Sequence, residues 1–308
     1  MTKFLKFSAL FVILVLIAVM ITFFKADGYT DSFYMRVATP KQNSLIIGNS
    51  KAAQGLQPDV IDEYSKADPV FNFAFSMAHS PYGPAYLKSI KKKLSEEEQP
   101  GTFILTVDPW SISSSAVDPN NAEQFSENES FINDLSSFST QPNIPYLVSH
   151  YKNSYAKIFQ KDTTSFLHDN GWLEIKVNMK PEVIEDRILA KVADFRKKTE
   201  EYQFSETRLS YLYKTIEFLK QHGKVHLVIM PVHPQIREIE QAYMPDFGTK
   251  IREVSHKAVV PLFDLTRGSE RFIFTDGIHL AKESGEEVSY KVGSWIERLE
   301  RRNPNSIY

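Results

Sequence analysis

The stretch SLIIGNS, residues 44–50, decides the fold of this 308-residue chain. An apolar run without alternating polar positions is typical of a short strand that is covered on both faces. The run stops at Gly48 and then presents Ser50. A serine in that position can be a nucleophile held at the edge of a sheet, or it can simply belong to the turn that ends the strand. The rest of the chain has to separate these two interpretations.

Similar apolar runs recur along the chain and alternate with helical segments. Strands are predicted at residues 70–75, 102–107, 224–231 and 259–264. Helices are predicted from residue 58, from residue 84, over 206–221 and, near the C-terminus, through Ser289, Val292 and Trp295. This alternation predicts a three-layer α/β/α sandwich with a central, mostly parallel sheet of the flavodoxin-like type. In such sheets ligands bind at the carboxyl ends of the strands, which is where Gly48 and Ser50 fall.

The N-terminus carries an uncharged run from Phe7 to Phe24, preceded by Lys3 and Lys6. At about 1.5 Å per residue the run is about 27 Å long, close to the hydrocarbon thickness of a bilayer. Bulky residues stand where a signal peptidase site would need small ones, so we expect an uncleaved signal anchor rather than a cleaved signal peptide. With the two lysines inside the cell, the rest of the chain lies on the extracytoplasmic side of the cell membrane.

The chain is predicted to divide into an anchor, a connector, one large domain and a tail. The predicted units are a transmembrane helix at 1–25, a juxtamembrane linker at 26–42, an α/β domain at 43–300 and a C-terminal tail at 301–308. Within the domain, residues from about 111 to 205 interrupt the alternation. This segment is predicted to be a largely helical insertion, which either caps the site or makes no contact with it.

The composition narrows the classes of function. The formal net charge is −2, and no cluster of lysine and arginine is interleaved with aromatic residues, so a nucleic-acid partner is not expected. The chain has no cysteine, which excludes disulfides, thiolate metal sites and a cysteine nucleophile. We expect no cofactor.

A serine hydroxyl is a weak nucleophile unless a base takes its proton and a third group orients that base. Residues 275–280, TDGIHL, supply such a pair shortly before the last predicted helix. Asp276 stands three residues ahead of His279, so its carboxylate can reach Nδ1 of the imidazole and leave the other ring nitrogen free. An Asp-x-x-His sequence is common by chance, and its weight comes from its combination with Ser50.

That combination resembles the SGNH (GDSL-like) hydrolase superfamily over about residues 43 to 300. It is most similar to membrane-anchored members that take part in alginate O-acetylation and in D-alanyl-lipoteichoic acid transfer. The resemblance implies that Ser50 is the nucleophile, His279 the base and Asp276 the residue that orients it. It also implies that the backbone N–H of Ser50 donates to the oxyanion.

Two positions depart from the pattern of that superfamily. Asn49 stands where the first block usually has aspartate, and the third predicted strand ends at Asp108 without the usual asparagine. Loss of one oxyanion donor costs roughly 2.7–4 kcal/mol in studied hydrolases. An ionised Asp108 would repel an oxyanion, although its place at the end of a strand also makes it a candidate to contact substrate. Either Asn72 or backbone groups around Phe75, Ser76 and Met77 replace the missing donor, or the activity is low.

His79 and His233 follow predicted strands and therefore fall at the ligand-binding edge. Three interpretations are open for them. They fix turns in their loops, they contact substrate, or they form a metal site with Asp108.

Three functions follow from these observations. The first is a membrane-anchored extracytoplasmic serine esterase or O-acyltransferase that acts on ester-linked acyl groups of a cell-envelope glycan, with a membrane-bound acyltransferase as a further partner. The second is a catalytically weak protein of the same fold that binds or assembles other components at the membrane. The third is a different type of hydrolase, with or without the help of a metal ion.

Overall fold

The computed structural model describes residues 1–64, 69–95, 100–161 and 163–302. Residues 303–308 of the predicted tail lie outside the described residues. The described part contains nine strands: β1 Ser44–Ile47, β2 Val70–Asn72, β3 Gly101–Thr106, β4 Ser113–Ser114, β5 Ser165–Leu167, β6 Leu173–Ile175, β7 Gln203–Phe204, β8 Gly223–Ile229 and β9 Leu262–Asp264.

The same residues form twelve α-helices and five short 3-10 helices. The α-helices are α1 Thr2–Phe24, α2 Tyr34–Ala38, α3 Ser50–Gly55, α4 Pro58–Asp62, α5 Pro84–Lys93, α6 Phe131–Asp134, α7 Ile144–Ser149, α8 Pro181–Glu201, α9 Glu206–Lys220, α10 Pro234–Tyr243, α11 Phe247–Ala258 and α12 Lys282–Arg302. The 3-10 helices are Pro109–Ile112, Ala122–Gln124, Ser126–Glu129, Tyr155–Phe159 and Ser269–Arg271.

Five strands form a fully parallel central sheet in the order β2-β1-β3-β8-β9. Counted along the chain this is the flavodoxin-like order 2-1-3-4-5, whose switch point lies between β1 and β3. Ile47, the last residue of β1, pairs with Leu105 of β3. Ser50 and Asp108 therefore leave the sheet at the same edge, on either side of the switch point.

Helices cover both faces of this sheet, which confirms the predicted three-layer sandwich. Leu45 and Ile47 of β1 face a core that includes residues of α2, α5, α9 and α11. Ile46 faces the opposite core, which includes residues of α3, α4 and α12. Both faces of β1 are thus buried, as its apolar sequence requires.

The segment that the sequence predicts to be a linker, residues 26–42, is packed into the folded domain. Ala26 and most of α2 are buried in the core that Leu45 and Ile47 of β1 face. Arg36 is fully buried and donates hydrogen bonds to the carbonyl oxygens of Ser32, Asn72 and Gly171. The apolar residues of α2 need this burial, and a separate linker would have left them in water.

The predicted insertion, residues 111–205, contains more than helices. The segment contains strands of the antiparallel pairs β4–β7 and β5–β6 as well as the helices α6, α7 and α8. Of these elements, α8 packs against α10 and against the loop before α12, through a small apolar cluster that includes Phe195, Ile236 and Ile278.

Candidate active site

Ser50 is the first residue of α3, and only Gly48 and Asn49 separate it from the end of β1. Gly48 is required there by close packing, because a Cβ at this position would overlap the side chain of Thr106 on β3. Gly48 also has a φ of 158°, a value that residues with a Cβ rarely adopt, so the turn after β1 and the approach of β3 both favour glycine. Asn49 caps the helix, since its side-chain oxygen accepts from the backbone N–H of Lys51 at 3.0 Å.

The loop that carries Asp276 and His279 is a compact turn. Gly277 has a φ of 94°, a left-handed conformation that favours glycine. One carboxylate oxygen of Asp276 accepts from the backbone N–H groups of Ile278 at 3.1 Å and His279 at 3.0 Å. The backbone N–H of Thr275 donates to the carbonyl of His279 at 2.8 Å and closes the turn. The local sequence therefore places the carboxylate next to the imidazole.

The structure brings Ser50, His279 and Asp276 together in one hydrogen-bonded chain. Ser50 Oγ lies 2.9 Å from His279 Nε2, although 229 residues separate them in sequence. On the other side of the ring, His279 Nδ1 lies 2.9 Å from Asp276 Oδ2. Both distances are within hydrogen-bonding range, in the order serine, histidine, carboxylate that a nucleophile, its base and an orienting group would need. We call these three residues the triad.

The charge of Asp276 is stabilised by its neighbours. Burial alone would raise the pKa of Asp276, but hydrogen bonding to His279 and the positive charges nearby lower the pKa well below its ordinary value. Lys191 of α8 is one of these, with its Nζ 3.5 Å from Asp276 Oδ2. An ionised carboxylate holds the N–H of His279 on Nδ1, so that Nε2 can accept the proton of Ser50. Sequence reasoning missed Lys191 because a lysine in a long helix carries no signal of its own.

Backbone N–H groups are available beside Ser50 for a developing oxyanion. Among the described residues, the N–H groups of Ser50, Ser76 and Met77 donate to no protein acceptor. The loop of Ser76 lies alongside the end of β1, because the N–H of Phe75 donates to the carbonyl of Gly48 at 3.1 Å. Donors of this kind stabilise tetrahedral intermediates in acyl transfer.

Asn72 does not supply the missing oxyanion donor. Its side-chain nitrogen donates to the carbonyls of Ala52 and Leu56, both at 2.9 Å, which uses both of its hydrogens. Its side-chain oxygen accepts from the N–H of Ala74 at 3.2 Å, and the residue is fully buried. Asn72 instead joins the second strand to α3, and these bonds leave its amide no free hydrogen for an oxyanion.

The side chain of Asp108 is occupied by contacts within the protein. Its Oδ2 accepts from Asn49 Nδ2 at 2.7 Å and lies 3.1 Å from Lys51 Nζ. Lys51 in turn pairs with Glu240 of α10 at 2.7 Å, and Glu240 accepts from Trp110 Nε1 at 2.9 Å. The ammonium of Lys51 therefore balances the charge that the sequence suggests would repel an oxyanion. We call Asn49, Lys51, Asp108, Trp110 and Glu240 the Lys51 network.

A single cation in the Lys51 network faces two buried carboxylates. Burial by itself lowers the pKa of Lys51, but Asp108 and Glu240 raise it above its ordinary value, so the ammonium stays charged. Burial raises the pKa of Glu240, and Asp108 raises it further, while Lys51 offsets only part of this. The network fixes Lys51, the residue after Ser50, to the end of β3 and to α10.

His79 belongs to an aromatic cluster and is paired with Ser76. Its Nδ1 lies 2.6 Å from Ser76 Oγ, and its ring lies between those of Phe33 and Phe131, with centroids at 4.8 and 5.1 Å. Burial, with a smaller contribution from Lys152, lowers the pKa of His79 to about 4. These contacts fit the interpretation in which His79 fixes its loop. Within the described ranges, no three metal-binding side chains lie together.

His233 stands next to the loop of the triad and at the wall of a cavity. The backbone N–H of His233 donates to the carbonyl of Gly277 at 2.8 Å. Burial lowers the pKa of the His233 imidazole. The cavity has a volume of about 740 Å³ and lies between α8, α10 and this loop. Its apolar wall includes Ile184, Ile188, Leu189, Ile273 and Ala281.

A smaller cavity of about 150 Å³ lies at the amino ends of β8 and β9, at the opposite edge of the sheet from the triad. It therefore takes no part in the chemistry of Ser50.

Comparisons with known proteins give distant structural similarity only. No protein-family model and no curated protein matches the chain. A lipase/acylhydrolase from Enterococcus faecalis is 14% identical, covers 84% of this chain and 95% of its own, and has a TM-score of 0.38. The inhibitor-bound aryl esterase of M. smegmatis is 12% identical, covers 83% and 98%, and has a TM-score of 0.39. Similarity this low carries no argument about activity, which has to come from the residues of the site.

Proposed function

We propose that the protein is a serine esterase or O-acyltransferase of the SGNH type, with Ser50 as nucleophile. The observation that carries the proposal is the continuous hydrogen-bonded chain from Ser50 Oγ through both nitrogens of His279 to Asp276. A weak hydroxyl nucleophile needs a base within hydrogen-bonding reach and an anion that orients the base, and this chain supplies both.

The proposed first half-reaction transfers the acyl group to the enzyme. Ser50 Oγ attacks the ester carbonyl carbon while its proton moves to His279 Nε2. The carbonyl oxygen becomes an oxyanion that accepts from the N–H of Ser50 and from an N–H of the neighbouring loop. When the intermediate collapses, the ester oxygen leaves and takes the proton from His279.

The proposed second half-reaction removes the acyl group from Ser50. A water molecule or an acceptor hydroxyl gives its proton to His279 Nε2 and attacks the acyl carbon. Ser50 then leaves with the proton of His279. Water gives hydrolysis and an acceptor hydroxyl gives transfer, and the same three residues serve both reactions.

The wall of the larger cavity supports an acyl group with an apolar part as the preferred substrate. A Cβ on Gly277 would lie 3.6 Å from side-chain carbons of both His233 and Ile188, so the cavity wall begins one residue from Asp276. Apolar pockets of this size bind apolar ligand groups, with few polar contacts to orient them.

The position of the enzyme is proposed to be the outer side of the cell membrane. α1 is long and apolar enough to cross a membrane, and almost none of it is buried against the rest of the protein. Lys3 and Lys6 at its start support an extracytoplasmic domain. An acylated cell-envelope glycan as substrate, and a membrane-bound acyltransferase as partner, are supported by the sequence resemblance alone.

A second function, binding or assembly at the membrane with weak catalysis, is favoured by one observation. Asn72 and Asp108 both have their side chains engaged elsewhere, so neither gives the oxyanion a side-chain donor. Backbone N–H groups then have to stabilise the oxyanion without that help.

Turnover of p-nitrophenyl esters by the detergent-solubilised full chain separates the two functions. We expect hydrolysis by the wild type, a preference for butyryl or longer chains over acetyl, and loss of activity in Ser50→Ala. Ser76→Ala is the matched control: it keeps the backbone N–H groups of its loop and removes only the side-chain bond to His79, so the rate should stay within a few-fold of the wild type. A folded wild-type protein without ester turnover or transfer would favour the binding function.

A further inference from the structure

Residues 144–161, which include α7 and the 3-10 helix Tyr155–Phe159, expose an unusual number of large apolar side chains. Ile144 is 40% exposed, Val148 61%, Tyr155 42% and Phe159 59%. Ile144 and Val148 are four residues apart in α7 and therefore share a face of that helix. Soluble surfaces rarely expose contiguous apolar patches without a partner.

The charge of the same segment is entirely basic. It contains Lys152, Lys157 and Lys161 and no acidic residue, and all three lysines are exposed. Exposed lysines beside apolar and aromatic side chains are typical of surfaces that lie in the interface of a membrane and contact anionic headgroups.

The segment lies directly at the end of α1. The ring of Tyr155 packs edge-on against Phe23, with centroids 5.5 Å apart, and Phe23 is only 4% exposed. Lys161 Nζ lies 3.9 Å from Asp27 and 4.9 Å from the ring centroid of Tyr29. Since Asp27 and Tyr29 follow α1 within five residues, the patch begins where the transmembrane run ends.

The residues that connect α1 to the domain are packed into the domain. Residues 34–38 are all buried, and Tyr146 Oη of α7 donates to Asp31 Oδ2 at 2.7 Å. The domain therefore has no free linker along which it could move away from the end of α1.

We propose that residues 144–161 form a membrane-contact surface that rests in the interfacial layer of the bilayer spanned by α1. The apolar side chains enter the boundary of the acyl chains, and the lysines contact anionic headgroups. The proposal rests on the membrane anchor of the proposed function. Its consequence is that the domain, and with it Ser50, is held at one height and orientation above the membrane.

The absence of cysteine from the chain allows a direct test by single-cysteine spin labelling of the full protein in lipid vesicles. The test positions are Val148→Cys and Phe159→Cys. Val15→Cys in α1 reports on the anchor. Tyr290→Cys, which is 48% exposed on α12 on the other side of the sheet, is the aqueous control. The measurement is the accessibility of each nitroxide to oxygen and to a water-soluble nickel chelate.

We expect labels at 148 and 159 to resemble the label at 15, with a several-fold higher oxygen-to-nickel ratio than the label at 290. Labels at 148 and 159 that match 290 while 15 lies in lipid would overturn the membrane-contact surface and leave the anchor intact. An aqueous label at 15 would overturn both the anchor and this surface.

A charge variant tests the role of the lysines. In vesicles of phosphatidylcholine, adding phosphatidylglycerol should raise the oxygen-to-nickel ratio at 148. Replacing Lys152, Lys157 and Lys161 with glutamine should remove that rise. A rise of equal size in the glutamine variant would contradict the proposed contact with anionic headgroups.

Discussion

Ser50 and Ser76 both hydrogen-bond a histidine near the carboxyl edge of the sheet. Ser76 Oγ lies 2.6 Å from His79 Nδ1, and Ser50 Oγ lies 2.9 Å from His279 Nε2. The shorter bond belongs to the pair for which we propose no catalytic role.

The two pairs differ in what lies on the far side of each ring. His279 is held by Asp276 at 2.9 Å, whereas His79 packs between Phe33 and Phe131. Burial opposes the imidazolium that forms when histidine takes a proton, and a neighbouring carboxylate stabilises it. We therefore propose that the third group, and not the length of the serine–histidine bond, makes one pair suited to catalysis and leaves the other to fix its loop.

Replacing each serine in turn gives the largest expected contrast. Ser50→Ala should reduce ester turnover by about 10⁶-fold, as removal of the nucleophile does in a studied serine protease. Ser76→Ala keeps the backbone N–H groups of its loop and should change turnover by no more than a few-fold. The rates are measured with a p-nitrophenyl ester, and circular dichroism verifies the fold of both variants. Loss of activity in Ser76→Ala alone would reverse the assignment of the two pairs.

Removing the charge of the third group should give the next largest effect. Asp276→Asn keeps the shape of the side chain but favours the wrong tautomer of His279, so we expect kcat to fall by about 10⁴-fold. Asp264→Asn, at the exposed end of β9, is the matched control. A fully active Asp276→Asn enzyme would contradict the explanation given for the difference between the pairs.

Breaking the Lys51 network should lower kcat less than Asp276→Asn does, but it should clearly reduce the stability of the fold. Lys51→Met leaves Asp108 and Glu240 buried without their cation, which typically costs about 3–5 kcal/mol of the free energy of unfolding. Displacement of α3 should lower kcat by about 10²-fold, with little change in KM. Lys224→Met, which removes a partly exposed pair with Glu300, is the control. An unchanged melting temperature in Lys51→Met would show that the network does not brace the site.

The smallest expected effect concerns the pH dependence of stability. The pKa of His79 falls from 6.5 to about 4 on folding, so the unfolded chain binds more protons between these values. Its contribution to stability is therefore present above pH 6.5 and is lost as the pH falls towards about 4. His79→Phe should reduce the drop in melting temperature between pH 7.5 and pH 5, and it should change ester turnover at pH 7.5 far less than Asp276→Asn does. An unchanged drop would mean that His79 is not buried as described.

Much of this architecture can be predicted from local patterns. The apolar runs at β1, β3 and β8 identify buried parallel strands, and their order places Ser50 at the binding edge. Asp276 and His279 can be paired because only three residues separate them. Each of these inferences depends on neighbours in sequence.

What could not be predicted depends on contacts between distant segments. The amide of Asn72 fits an oxyanion donor by residue type, and only the positions of Ala52 and Leu56 reveal that its hydrogens are used. The partner of Asp108, Lys51, is adjacent to Ser50 in sequence but carries no pattern that indicates burial.

The most direct measurement of the central claim is mass-spectrometric mapping of the residue labelled by a fluorophosphonate probe on the full chain. The probe reacts with serines that a base has activated, and both serine–histidine pairs are present in the same sample. We predict one labelled peptide, with the modification on Ser50, and loss of labelling in Asp276→Asn. Labelling at Ser76, or no labelling of a folded protein, would contradict the account.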